Sequence, residues 1–133
     1  MTRGIRNNNP GNIDHNPANK WQGQLQHDPN LEKRFCRFES PEYGIRALMK
    51  LLCNYHKGGH NSISKMINRW APSNENNTTA YINGVAKALN VDQFERIEIN
   101  RTTLIALAKS IIRHENGRQP YSDDIFTRVF EML

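Results

Sequence analysis

The sequence predicts a mainly helical fold with an extended N-terminal region packed on it, and three observations carry that prediction. From Ser40 onward, apolar residues recur at helical spacing in successive segments, most of them opened by a capping residue. Residues 1–40 show no such period and are rich in Asn and Pro. The length, 133 residues, suffices for one domain with a real core and is short for two.

The first helix is expected to start at Ser40, with Pro41 at the first helical position and Glu42 in the first turn. Tyr43, Ile45, Leu48, Leu51, Leu52 and Tyr55 form its apolar stripe, and it ends before Gly58-Gly59. A short helix follows Asn61 or Ser62, carries Ile63, Met66, Ile67 and Trp70 on one face, and stops near Pro72. Ser73 to Asn77 reads as a polar loop. Asn77 or Thr78 caps a third helix with Tyr81, Ile82, Val85, Ala86 and Leu89 on its apolar side. Val91 to Ile99 has room for a short helical turn. The longest stripe, Leu104, Ile105, Leu107, Ala108, Ile111 and Ile112, begins near Arg101 behind Asn100 or Thr102 and runs out into Gly117, a left-handed terminator. Ser122 caps a last helix with Asp123 and Asp124 at its positive end and Ile125, Phe126, Val129 and Phe130 inside.

The N-terminal region is harder to read by period. Asn7-Asn8-Asn9-Pro10-Gly11-Asn12 is dense in turn formers, but Ile5, Ile13 and Trp21 flank it as anchors, which favours an ordered loop over a linker. Arg34 to Phe38 alternates and fits one short strand or an extended arm, which gives the expected α+β character.

Composition narrows the partners. The net charge of +5 and pI near 9.5 favour polyanions, but the basic residues are scattered and no nucleic-acid recognition motif appears. No nucleic acid is expected. No apolar run approaches the ~20 residues of a membrane-spanning helix, and Met1 to Arg6 lacks the apolar segment of a secretory signal. The expected site of synthesis is the cytoplasm, with work at the cell wall following lysis or delivery in a virion. Cys36 and Cys53 lie in apolar contexts and read as reduced core residues. His56 and His60 are four apart, but Gly58-Gly59 between them breaks the helix that would align them. No metal or cofactor is expected.

Glu115 stands out. It falls in the last turn of an apolar helix, where the dipole disfavours negative charge. Arg113 and His114 precede it, and a polar, aromatic exit follows: Asn116, Gly117, Gln119, Tyr121 and Ser122. A carboxyl shielded by apolar neighbours has the raised pKa that a proton donor to a glycosidic oxygen requires. Trp21, Trp70, Tyr81 and Tyr121 are ordinary core residues one by one, but their places beside polar loops suit a groove in which sugar rings stack.

Several motifs carry a family resemblance. Arg3-Gly4-Ile5-Arg6-Asn7-Asn8-Asn9-Pro10-Gly11-Asn12-Ile13, Trp21-Gln22-Gly23 and Phe38-Glu39-Ser40-Pro41-Glu42-Tyr43-Gly44-Ile45-Arg46-Ala47 resemble phage virion and prophage proteins with a lysozyme-like domain. His114-Glu115-Asn116-Gly117 and Pro120-Tyr121-Ser122 extend the resemblance over almost the whole chain. That family is similar to lytic transglycosylases and flagellar-type glucosaminidases, which cut the glycan strands of peptidoglycan. In lytic transglycosylases the Glu helix comes early, then a Gly-containing substrate loop, then a Tyr-bearing helix. Here Asn9 to Ile13 resembles the loop, Thr78-Thr79-Ala80-Tyr81-Ile82-Asn83-Gly84-Val85 the Tyr helix, and the Glu helix comes last. The resemblance therefore implies a circularly permuted, single lysozyme-like domain built around its Glu-bearing helix, which is sterically reasonable because chain ends often lie close together.

The resemblance implies cleavage of the β-1,4 bond between N-acetylmuramic acid and N-acetylglucosamine, with Glu115 as acid and then base. Tyr81 would assist it, Asn9, Gly11, Asn12 and Tyr121 would line the groove with Asn116 and Ser122 at its exit, and His114 would tune the acid or cap the helix. A hydrolytic muramidase needs a second carboxylate, for which Glu39, Asp14, Glu75, Asp123 and Asp124 are candidates and none is marked out. A transglycosylase needs one carboxyl and is preferred. A non-catalytic virion or glycan-binding protein, with other virion proteins as partners, is the remaining alternative, ahead of a nucleic-acid-binding protein.

Overall fold

A computed structural model describes residues 1–71 and 77–133, and within them the chain forms six helices. These are α1 (Arg3–Arg6), α2 (Pro41–Lys57), α3 (Ile63–Trp70), α4 (Thr78–Leu89), α5 (Arg101–Asn116) and α6 (Asp123–Glu131). The molecule is mainly helical. The α+β expectation fails in its β part: Arg34 to Phe38 forms no strand, only isolated antiparallel bridges from Phe35 to Asp14 and from Phe38 to Gln24. A strand needs a continuous ladder, and the turns at residues 17–18 and 22–23 interrupt any partner for it. Of the polar loop expected from Ser73 to Asn77, residues 73–76 lie outside the described residues, as does the helix stop expected near Pro72. Val91 to Ile99 holds turns and no helix.

Local chemistry explains most helix ends. Asn77, Ser62 and Asn100 accept from the backbone N–H groups of Ala80, Lys65 and Thr103 and so cap α4, α3 and α5. Ser40 and Ser122 occupy the cap positions of α2 and α6, but neither side chain makes a capping bond. Pro41 and the acidic first turns Glu42 and Asp123-Asp124 are what remain to start those helices. Gly117 ends α5 at φ 76°, its N–H donating to Arg113 O at 2.8 Å.

The core lies between α5 and its neighbours. α5 packs against α1, α2, α4 and α6, and α2 also touches α3 and α6. Leu104, Leu107, Ala108, Ile111 and Ile112 of α5 are buried against Ile45, Leu48, Met49 and Leu52 of α2 and Tyr81 and Val85 of α4. Each fully buried Leu or Ile stabilises the fold by about 1.5–3 kcal/mol. A second, smaller cluster of Ile13, Cys36, Phe38 and Ala47 seats the N-terminal region on α2, and Trp70 packs against both clusters. Cys36 and Cys53 are free thiols, and burial pushes the Cys36 thiol up to about 11.

The Asn-rich segment is an ordered loop because each Asn serves a different neighbour. Asn7 Nδ2 donates to Glu32, Asn8 Nδ2 to Phe38 O, and Asn9 Nδ2 to Ile13 O and Cys36 O. Asn8 and Asn12 both take φ 53°, a left-handed conformation that Asn tolerates better than most residues.

Glu32 is the anchor of this region. It is buried, with Arg3 Nε and Nη2 donating to its two oxygens at 2.8 and 2.7 Å. The backbone N–H groups of Arg34 and Phe35 donate to Oε2 at 2.8 and 2.9 Å. The Arg3 hydrogen bonds, helped by these amides and Asn7 against the cost of burial, hold the carboxyl well below the ordinary carboxylate range. A depressed folded-state pKa means the stabilisation is complete above the unfolded value of about 4.3 and is lost as pH falls below it. Glu32→Gln should therefore cost roughly 2 kcal/mol at pH 7, less than a fully buried pair because Arg3 is half-exposed. Thermal melts of both proteins from pH 7 to pH 3 should show the gap closing below about pH 4. A gap independent of pH would contradict this role.

Candidate functional site

The end of α5 brings Glu115 to a cleft of about 630 Å³. Gly11, Asn12 and Asp14 of the Asn-rich loop form one wall, with Trp21 beyond them. Tyr55 of α2 and Arg69 and Trp70 of α3 form another. The size suits a small-molecule or oligosaccharide segment.

Two donors orient Glu115. Tyr81 Oη donates to Oε2 at 3.0 Å, and Asn12 Nδ2 donates to Oε1 at 3.0 Å. These two residues are 69 positions apart in sequence, from 12 to 81, and meet only through the carboxylate. Tyr81 is fully buried in α4, so its phenol pKa is driven far above the ordinary tyrosine value, first by burial and then by the Glu115 charge and hydrogen bond. The neighbouring Trp70 side chain acts in the opposite sense. Tyr81 is still a fixed proton-bearing donor and not a base. The His114 ring lies on the Tyr81 ring, centroids 3.6 Å apart and planes 20° from parallel. His114 therefore orients the tyrosine and faces solvent on its other side.

Gly11 has a steric role. A Cβ there would meet Trp70 Cζ2 at 3.0 Å, so glycine lets the loop backbone lie against the indole. Trp70 in turn meets Tyr55 edge-on at 6.4 Å. The aromatic faces of Trp21, Tyr55 and Trp70 give the cleft apolar platforms among polar groups.

Four expected site residues are placed elsewhere. Asn9 is fully buried and clamps the loop from inside: it takes the Ile13 N–H and gives to Ile13 O and Cys36 O. Asn116 is buried too, donating to Pro10 O at 2.8 Å and Ile112 O at 2.9 Å while accepting from Thr2 Oγ1 at 2.7 Å. It ties the loop to α5 and touches no cleft. Tyr121 packs on the helical core, and Ser122 sits exposed at the start of α6; neither lines the cleft. Among the proposed second carboxylates, Asp14 lines the cleft and Glu39, Asp123 and Asp124 do not. Glu75 lies outside the described residues. Asp14 accepts from Arg34 Nε at 2.7 Å, and Asp123 pairs with Lys109.

Nothing in the sequence singles out Tyr55 and Arg69 as cleft residues. Tyr55 sits on the apolar stripe of α2, and only its place near the helix end signals that its hydroxyl can reach a surface. Arg69 gives no signal beyond its neighbour Trp70. The candidate metal-spaced pair is structural in part: His56 Nε2 bonds Ile97 O at 2.7 Å, and His60 meets Tyr55 edge-on. Among the described residues no group of three or more His, Cys, Asp or Glu comes together. None of the helices there is long and apolar enough to cross a membrane.

No family model matches the chain. It is similar to Protein P5 of Pseudoalteromonas phage PM2, with 38% identity over 130 residues that span 97% of this chain and 80% of that protein.

Proposed function

The chain belongs to the family of Protein P5 of Pseudoalteromonas phage PM2, and we propose, from the geometry of its cleft, that it cleaves peptidoglycan glycan strands as a phage-type lytic transglycosylase. One observation carries the reading. Asn12 and Tyr81 come from the two segments that resemble the substrate loop and Tyr helix of lytic transglycosylases, and both hydrogen-bond Glu115. Segments that occur in a different order along the chain thus converge on one carboxyl, as a circularly permuted lysozyme-like domain requires.

Protonated Glu115 gives its proton to the glycosidic oxygen as the bond from that oxygen to C1 of the muramic acid breaks. The substrate acetamido group shields the developing positive charge. The 6-hydroxyl oxygen then bonds to C1, and its proton returns to Glu115. Tyr81 and Asn12 keep the carboxyl in one orientation through both halves, and the buried Tyr81 phenol holds its proton throughout. Tyr81→Phe should lower kcat on purified peptidoglycan about 10- to 100-fold with KM little changed. Its stability cost should be about 1 kcal/mol, that of one lost buried hydrogen bond. An unchanged kcat would remove Tyr81 from the mechanism.

A second reading has an observation of its own. Asp14 shares the cleft with Glu115, which favours a hydrolytic muramidase with two carboxyl groups. Mass analysis of products from purified peptidoglycan separates the readings. Products ending in 1,6-anhydromuramic acid support the transglycosylase, and reducing ends support the hydrolase. Retention on peptidoglycan with no soluble products supports a glycan-binding virion protein instead.

A further inference from the structure

The charges of the cleft do not balance locally. Asp14 and Arg34 neutralise each other across a 2.7 Å hydrogen bond. That leaves Glu115, held by neutral donors, and Arg69. Among the described residues Arg69 has neither hydrogen bond nor ion pair, and its side chain is exposed in the cleft wall. Its charge reaches the Tyr55 hydroxyl, where it opposes the effect of burial.

Arg69 lies in the last turn of α3, where any cation complements the helix dipole. That role is indifferent to the shape of the cation and to the cleft. A guanidinium beside a tyrosine and a tryptophan in a groove offers something more specific: two parallel N–H donors for a carboxylate.

We propose that Arg69 is a carboxylate subsite of the cleft, which selects muramic-acid-containing strands over neutral polymers of N-acetylglucosamine. The proposal rests on the glycan-cleaving reading and deepens it. The two sugars of a peptidoglycan strand differ in the 3-O-lactyl substituent of muramic acid. A strand carries carboxylates there in two forms: on the lactyl group itself where no peptide is attached, and on the peptide where one is. Stacking on Trp70 and Tyr55 recognises any sugar face, whereas Arg69 recognises the anion next to it.

The test uses the full chain with Glu115→Gln, so that binding is read without turnover. It is titrated calorimetrically with a hexamer of N-acetylglucosamine, with strands stripped of peptide, and with peptide-bearing strands. Carboxylate-bearing strands should bind about tenfold more tightly than the hexamer, the effect of one charge-assisted contact. Adding Arg69→Gln should bring them to the hexamer's affinity and leave the hexamer unchanged, and Arg69→Lys should restore only part of the difference. The arm with the larger Arg69-dependent loss identifies the source of the carboxylate. Equal affinity for all three probes, or an equal loss for all three on Arg69→Gln, overturns the subsite while the cleft reading stands. A folded protein that binds none of the three overturns the glycan-cleaving reading itself.

Discussion

Replacing Glu115 by Gln is expected to lower the rate of glycan cleavage by about 10³- to 10⁴-fold, the contribution of a positioned general acid and base. The amide keeps the size of the carboxyl and an acceptor for Tyr81 or Asn12 but not both, so stability should fall by about 1 kcal/mol, that of one lost hydrogen bond. A residue that does chemistry and a residue that supports the fold separate on this point. Activity is read as release of soluble fragments from purified peptidoglycan, and folding by thermal denaturation of the same preparation. Full activity in Glu115→Gln would remove the proposed acid, and with it the mechanism. Loss of activity together with several kcal/mol of stability would make Glu115 a structural residue whose hydrogen bonds to Tyr81 and Asn12 serve the fold alone.

The second large effect is on stability. Gly44 lies in the first turns of α2, where Ala would normally stabilise an exposed helix by about 1 kcal/mol. Here a Cβ would stand 1.8 Å from the carbonyl oxygen of Asn8 and 3.2 Å from Asn9 Cα. The obstacle is backbone, so no rotamer change relieves it. Gly44→Ala must push the Asn-rich loop off α2, and the cost should be at least about 3 kcal/mol. That corresponds to roughly 10 °C or more in a protein of this length. Because Asn12 rides on the same loop, activity should fall with stability. Gly84→Ala is the control: nothing lies within 4 Å of its Cβ on α4, and the helix should gain about 0.5–1 kcal/mol. If Gly44→Ala melts at or above the parent temperature, the close contact of loop and helix is not what seats the N-terminal region.

The loop itself shows where sequence reasoning succeeds and where it stops. That Asn7 to Asn12 is ordered was legible from its apolar anchors, Ile5, Ile13 and Trp21. Which Asn faces the cleft was not. Asn9 and Asn12 are the same residue type three positions apart, yet Asn9 is buried with its amide on Ile13 and Cys36 while Asn12 reaches Glu115. The difference lies in a backbone path with two left-handed residues, Asn8 and Asn12, which no periodicity reports. Asn116 lies away from the cleft for a related reason. It follows Glu115 directly, but one step along a helix turns a side chain by about 100°, here from the cleft into the packing under Pro10.

The helices are what the sequence determined by itself. Their caps and apolar periods are local, so α2 to α6 could be placed from residues a few positions apart, and the exposed α5 terminus with Glu115 followed from Gly117. Only the tertiary structure decided that Tyr81 and Asn12 each hold one oxygen of that carboxyl, that Asp14 shares its cleft, and that Arg69 lines it without a partner among the described residues. Those facts depend on how distant segments pack, and packing direction is set by the shapes of both surfaces, neither of which is written at the positions concerned.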